Sequence, residues 1–155
     1  MQENRPDHDL LISNARIFDG TKLLDGSHNV GIAKDRISFI GPASTPAHKE
    51  IDAAGRFLMP GLIDCHLHLL NMWTSVDEAS MAADVNGELK TRLRALLDAG
   101  VTTVKSVCDS EDDILRVREM LAGGELAGPT LYATGGVFAA PAVIRRPPYT
   151  AKIPG

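Results

Sequence analysis

Cysteine is scarce in this 155-residue chain: Cys65 and Cys108 are the only two. So small a supply excludes a disulfide-stapled scaffold, and both are expected as free thiols that pack as small apolar groups. An excess of basic residues is also missing. Sixteen Lys and Arg stand against twenty Asp and Glu, a net charge of −4, and Arg145-Arg146 is the sole basic cluster. That balance argues against a nucleic-acid partner. No apolar run approaches the roughly 20 residues that span a bilayer. The opening MQENRPDHDLLIS holds no apolar run preceded by basic residues, so no leader is read there. The chain therefore reads as soluble and cytoplasmic. Internal repeats and low-complexity segments are absent too. What is present, 44% hydrophobic and 23% charged residues, is the composition of a globular domain.

The most informative stretch is Met59-Pro60-Gly61-Leu62-Ile63-Asp64-Cys65-His66-Leu67-His68-Leu69. It reads as a buried strand carrying a His-x-His pair, with Pro60-Gly61 at its entry, where a missing backbone donor is tolerated. Side chains on a strand alternate with period two, so His66 and His68 share one face and Asp64 is expected with them. Two imidazoles about 7 Å apart along one face can turn toward a single metal ion. Cys65, Leu67 and Leu69 then take the opposite, apolar face. On an arbitrary strand such a pair is more often two hydrogen-bonded histidines. Here the apolar flanks tip the reading, because polar groups inside a core strand are costly unless something such as a metal satisfies them.

Short strands with turn residues between them fill the first 59 residues and predict a small β-sandwich module. Leu10–Ser13 and Ala15–Phe18 read as two strands around Asn14, with a turn at Asp19-Gly20. A hairpin of 29–33 and 36–40 turns at Lys34-Asp35, and strands at 50–52 and 57–59 flank Ala54-Gly55. From Pro60 onward, over 60–155, strands alternate with helices, which implies parallel βα units. Leu89, Leu93, Leu96 and Leu97 form one apolar stripe on a helix over 88–99, stopped by Gly100. Val101–Val107 is the next strand. Ser110 is a plausible N-cap for a helix whose buried face holds Ile114, Leu115, Val117 and Leu121, closed by Gly123-Gly124. Thr130–Thr134 is a third strand. Four prolines between 141 and 154 deny regular structure to the tail at 141–155.

Leu10 to Leu70, ending in Pro-Gly-Leu-Ile-Asp-Cys-His-Leu-His, resembles the amino-terminal region of the amidohydrolase superfamily. Leu97-Asp98-Ala99-Gly100-Val101-Thr102-Thr103-Val104-Lys105-Ser106 is similar to that family's entry to its second barrel strand. The texture is nearest to imidazolonepropionase and Xaa-Pro dipeptidase-like members. The resemblance implies an α/β fold, a (β/α)8 TIM-type barrel preceded by the small β-sandwich, of which about three βα units fall in this chain. It implies a divalent metal, with zinc as the expected ion, and His66 and His68 among its ligands. It also implies a small-molecule substrate whose C–N bond (amide, cyclic amide or dipeptide) is hydrolysed by metal-activated water. The catalytic base and the remaining ligands belong to later strands of the family fold.

Length sets a limit on that function. A complete barrel needs roughly 250 residues, so these 155 residues are expected to be a partial barrel and to be inactive alone. The alternative is a truncated, non-catalytic relative, inert or associating through its open sheet, and an oligomer is compatible with either. Other candidates have plainer readings. Asp109-Ser110-Glu111-Asp112-Asp113 reads as a helix start, and Gly135-Gly136 as a flexible turn. Trp73 reads as packing over the barrel mouth, and His8, His28 and His48 as solvated surface residues.

Overall fold

The computed structural model describes residues 8–70 and 87–135. Expectations for Trp73, for Gly136 and for the 141–155 tail lie outside the described residues. The chain divides into two compact units, Met1–Pro60 and Gly61–Gly155.

The first unit holds β1 (His8–Ile17), β2 (His28–Ala33), β3 (Arg36–Gly41), β4 (Ala47–Asp52) and β5 (Phe57–Leu58). The two strands expected around Asn14 are one strand. Asn14 sits at φ +54°, a conformation asparagine tolerates better than most residues, and the pairing register with β2 shifts between Ile12 and Ala15. The bulge leaves no loose ends. Asn14 donates its backbone N–H to Asn29 Oδ1 at 3.0 Å and its side-chain amide to Asp52 Oδ1 at 3.0 Å. It also divides the strand's partners: residues 8–13 pair in parallel with β4, and Arg16 and Ile17 pair in parallel with β5. The hairpin of β2 and β3 forms as expected, with Lys34 at φ +57° in its turn. The described strands make one five-stranded sheet in the order β3-β2-β1-β4, with β5 on the far half of β1. A second packed layer, which the sandwich expectation required, is not among the described residues. Ala15, Ile17 and Val30 are the buried core here.

His8 corrects another expectation. It is buried, its Nδ1 lies 2.8 Å from Ser38 Oγ, and its ring stacks near Phe39. The absent side chain of Gly31 makes room for it, since a Cβ there would fall 2.8 Å from the imidazole. A solvated reading failed because the pocket is built from three strands distant in sequence. His28 is half-buried and His48 exposed.

At the turn after β1, Asp19 Oδ1 accepts hydrogen bonds from Thr21 N, Thr21 Oγ1 and Lys22 N at 2.6 to 2.9 Å. These bonds, the Thr21 hydroxyl foremost, hold its carboxyl at about 2, below the ordinary 3.8. A depressed folded value means the turn's carboxylate bonds are fully present above pH ~4 and are lost as pH falls through about 2. Carboxyl carbon shifts followed by NMR should therefore titrate Asp19 last among the acidic side chains of this turn region. Thr21→Ala should move that midpoint upward. An unmoved midpoint would show that the hydroxyl bond is not formed.

The second unit contains β6 (Leu62–Leu67), α1 (Glu88–Asp98), β7 (Val101–Ser106), α2 (Glu111–Ala122) and β8 (Thr130–Ala133). The three strands are parallel in the order β6-β7-β8, as the βα reading predicts. Helix α1 lies against β7 and α2 against β8. The core between them is Leu89, Leu93, Val104, Ile114, Val117 and Leu131, each 6% exposed or less. Leu97, expected in the stripe of α1, is instead 36% exposed, because i+8 has drifted past the buried arc. Gly100 takes φ +81° after the α1 cap and its carbonyl accepts Leu62 N at 2.9 Å, tying the helix end to the start of β6. Ser110 occupies the N-cap of α2 without a side-chain cap bond, and Glu111, Asp112 and Asp113 supply the acidic first turn.

The buried-strand reading of β6 is corrected as well. Leu62 and Ile63 are 49% and 66% exposed, and Cys65 and His66 are exposed too. Among the described residues the strand is at the sheet edge, and helices pack on only one sheet face. On the other face Ile63, Lys105 and Tyr132 stand open. Entry to β6 depends on close approach: a Cβ on Gly61 would fall 1.9 Å from Thr102 Oγ1, so no side chain fits.

Candidate metal centre

Register decides which side chains of β6 stand together. Asp64 aligns with Val104 and Leu67 aligns with Ser106, so three steps on β6 are matched by two on β7. Val104 and Ser106 share the buried face. The bulge therefore puts Asp64 in phase with Leu67 and out of phase with His66 and His68, against the strict period-two expectation. Asp64 instead turns back on its own chain and accepts His66 N at 2.9 Å.

His66 is the penultimate residue of β6 and His68 follows the strand, at its carboxy-terminal end. Their ring centres are 5.4 Å apart, with the planes 87° to one another. Both residues are exposed. His68 Nδ1 lies 2.7 Å from the carbonyl oxygen of Val107. A carbonyl only accepts, so Nδ1 carries a proton, and in the neutral imidazole Nε2 keeps the lone pair. That is how a ligating histidine is ordinarily fixed in tautomer and ring orientation.

The donor set suits a divalent ion. Zinc takes histidine nitrogen at about 2.0–2.1 Å in a tetrahedral shell, which sets two coordinated ring centres roughly 5 Å apart. The observed spacing matches. Among the described residues no group of three or more His, Cys, Asp or Glu is placed to hold a metal ion, so the two imidazoles are candidate donors without a third partner there. His8, His28 and His48 belong to the other unit, and Cys65 and Cys108 are free thiols.

Asp109 was legible as a helix start, and it does something else. It is 1% exposed, at the end of β7, and reaches across to the chain leaving β6. Its Oδ2 and Oδ1 accept Leu69 N and Leu70 N, each at 3.3 Å, and the Ser106 hydroxyl donates to its Oδ2. Ser106 Oγ in turn accepts Leu69 N at 2.9 Å. Burial pushes the Asp109 carboxyl up, opposed by the Ser106 hydroxyl, the Leu70 and Leu69 amides and the His68 charge. Between Val107 and Asp109, Cys108 takes φ +65°, a left-handed conformation uncommon for a non-glycine residue. Burial and the neighbouring Asp109 raise its thiol. The sequence signal for this carboxylate was its place at a strand's carboxy-terminal end, before the helix cap and not at it.

No sequence-family profile matches the chain. Individual relatives do. A D-hydantoinase of Ralstonia pickettii is 33% identical over 105 residues, covering 66% of this chain and 21% of its own. An adenine deaminase of Edwardsiella ictaluri is 37% identical over 109 residues, 67% of this chain and 15% of its own. An imidazolonepropionase of Hyphomonas neptunium is 29% identical over 133 residues, 59% of this chain and 33% of its own. The chain thus spans between about a seventh and a third of the length of these relatives. Among solved structures, a candidate prolidase of Bifidobacterium longum superposes with a TM-score of 0.72 at 27% identity, over 94% of this chain and 35% of that one. An Xaa-Pro dipeptidase gives the same TM-score at 23% identity and the same coverage of this chain, a likeness of fold. Hydantoinase, deaminase, imidazolonepropionase and prolidase are members of one superfamily, and the paired histidines at the end of a parallel strand occur here in a chain similar to all of them. The chain belongs to the amidohydrolase superfamily, corresponding to its amino-terminal portion.

Proposed function

We propose that this chain is the amino-terminal part of a metal-dependent amidohydrolase that hydrolyses a C–N bond of a small molecule. On this reading residues 1–59 are part of a β-sandwich module. Residues 60–155 open a (β/α)8 barrel, with β6, β7 and β8 as its first three strands. His66 and His68 hold a divalent ion, zinc by the chemistry of imidazole donors. The carrying observation is the pair of rings at the carboxy-terminal end of β6, 5.4 Å apart, with His68 Nδ1 bonded to Val107. In a parallel barrel that end of the strands is where chemistry is assembled.

Bound there, a divalent ion supplies a water of lowered pKa and polarises a carbonyl. The chain's own part is positional. Val107 fixes the tautomer of the neutral His68 ring, so Nε2 would be the nitrogen available to hold the ion. The bulge between Asp64 and Leu67 shifts the phase of Asp64, leaving the two imidazoles with ring centres 5.4 Å apart. Relatives named as a hydantoinase, an imidazolonepropionase and an adenine deaminase support a nitrogen-containing small molecule as substrate. The class within that range, cyclic amide, amide or dipeptide, is set by loops of the complete fold.

X-ray absorption on the zinc- or cobalt-loaded chain tests the reading. The expected first shell is two imidazole nitrogens completed by oxygen. A shell without imidazole scattering would overturn it.

A further inference from the structure

Every residue from Leu67 to Leu70 is tied to the far end of β7. Val107 N donates to Leu67 O at 2.8 Å, and His68 Nδ1 donates to Val107 O at 2.7 Å. Leu69 N donates to Ser106 Oγ, and Leu69 N and Leu70 N converge on the two oxygens of Asp109. Leu69 and Leu70 are themselves buried in the core that β7 shares. His68 is thus held twice, by a bond to its ring and by a clasp on the backbone that follows it. We propose that Asp109, with Ser106, is a positioning pair that aims His68 and thereby sets its tautomer and its affinity for a divalent ion. The affinity half rests on the metal reading above; the tautomer half does not.

The geometry explains why a carboxylate is needed. Asp109 accepts three hydrogen bonds, from Leu69 N, Leu70 N and the Ser106 hydroxyl, and a carboxylate offers acceptors on both oxygens with no donor to turn against them. An amide of the same shape keeps one accepting oxygen and turns an NH2 against donors. The left-handed backbone at Cys108 is what swings Asp109 back over the strand end. Such strain persists only where the surroundings over-determine it, and the buried carboxylate supplies that determination. Without Asp109 the 67–70 segment keeps its strand bond at Leu67 and the Leu69 N bond to Ser106 Oγ, but the buried Leu70 amide loses its acceptor and Leu69 N loses one of two. The Val107 carbonyl then no longer faces a fixed ring.

The test compares the wild-type chain with Asp109→Asn, Asp109→Glu and Ser106→Ala. Two readouts are needed: imidazole 15N shifts of the metal-free protein, and cobalt or zinc affinity by competition with a chelator. Wild type should show His68 as a single Nδ1–H tautomer. Asp109→Asn should mix the tautomers of His68 while leaving His66 unchanged, and should weaken metal binding about tenfold to a hundredfold, the usual cost of an outer partner. Asp109→Glu should not restore either property, because the longer arm cannot meet both amides. Ser106→Ala, a small change in a buried site, should give the same pattern to a lesser degree and serves if Asp109→Asn fails to fold. Unchanged His68 tautomer and unchanged affinity in the folded variants would overturn the proposal. If wild type binds no metal yet Asp109→Asn still mixes the His68 tautomers, the clasp stands and the metal reading falls.

Discussion

Alanine at His66 or at His68 should weaken zinc binding by the 155-residue chain about a hundredfold, and alanine at both should remove it. A four-ligand zinc site is worth about 10–16 kcal/mol at neutral pH, hence roughly 3 kcal/mol for each ligand, or about two decades in affinity. On the proposed reading the two histidines are the protein donors, and among the described residues no larger cluster of His, Cys, Asp or Glu is placed to hold an ion, so each carries a large share of whatever affinity exists. Chelator competition measures this directly, with circular dichroism to confirm that each variant folds. Both side chains are exposed, so neither substitution should cost much stability. The contrast is what makes the result informative: affinity should collapse while the unfolding midpoint stays. Equal affinity in wild type and His68→Ala would mean the ion, if any, sits elsewhere.

The opposite pattern is expected at Leu93. It is fully buried, 0% exposed, and belongs to the core under β7 with Leu89, Val104 and Val117. Gly128 is packed hard against it: a Cβ there would lie 2.9 Å from Leu93 Cδ2 and 2.8 Å from Leu121 Cδ2. Leu93→Ala removes three carbons from a site walled by helix and sheet, which cannot collapse fully around the gap. The loss should be about 2–5 kcal/mol. Denaturant unfolding followed by far-ultraviolet circular dichroism should show it as a lower midpoint at unchanged slope. Leu97→Ala, on the same helix but 36% exposed, should cost far less. Comparable losses at the two positions would contradict the packing described for α1. Because Leu69 and Leu70 enter the same core directly after His68, Leu93→Ala should also loosen the histidine pair to some degree. Stability and site are connected through that segment.

Local chemistry carried much of this in the sequence. Apolar spacing along 88–98 and 111–122, the glycines that close both helices, and the β-branched run Val-Thr-Thr-Val identified α1, α2 and β7. Alternation along a strand predicted a shared face for His66 and His68, and their ring centres do stand 5.4 Å apart. Proline-glycine before an apolar run marked the start of β6, and Asn-Val-Gly-Ile-Ala with Lys-Asp after it marked a hairpin. Each of these follows from preferences acting over fewer than a dozen residues. The superfamily itself was legible from two motifs in the right order.

What tertiary structure alone decided concerns partners that meet across long stretches of chain. The phase of Asp64 depends on how β6 registers against β7, some 40 residues on, and a bulge there breaks the alternation that a single strand implies. Likewise, the exposure of Leu62 and Ile63 follows, among the described residues, from an edge position and a face without helices, which an apolar run cannot announce by itself. His8 is buried because Ser38, Phe39 and the empty side of Gly31 surround it. Asp109 looks like any acidic residue before a helix until the fold brings Leu69 and Leu70 to its carboxylate. Hydrogen-bond geometry and burial are properties of assembled neighbours. The sequence by itself marked which residues are candidate ligands; register, edge and burial decided how each of them is held.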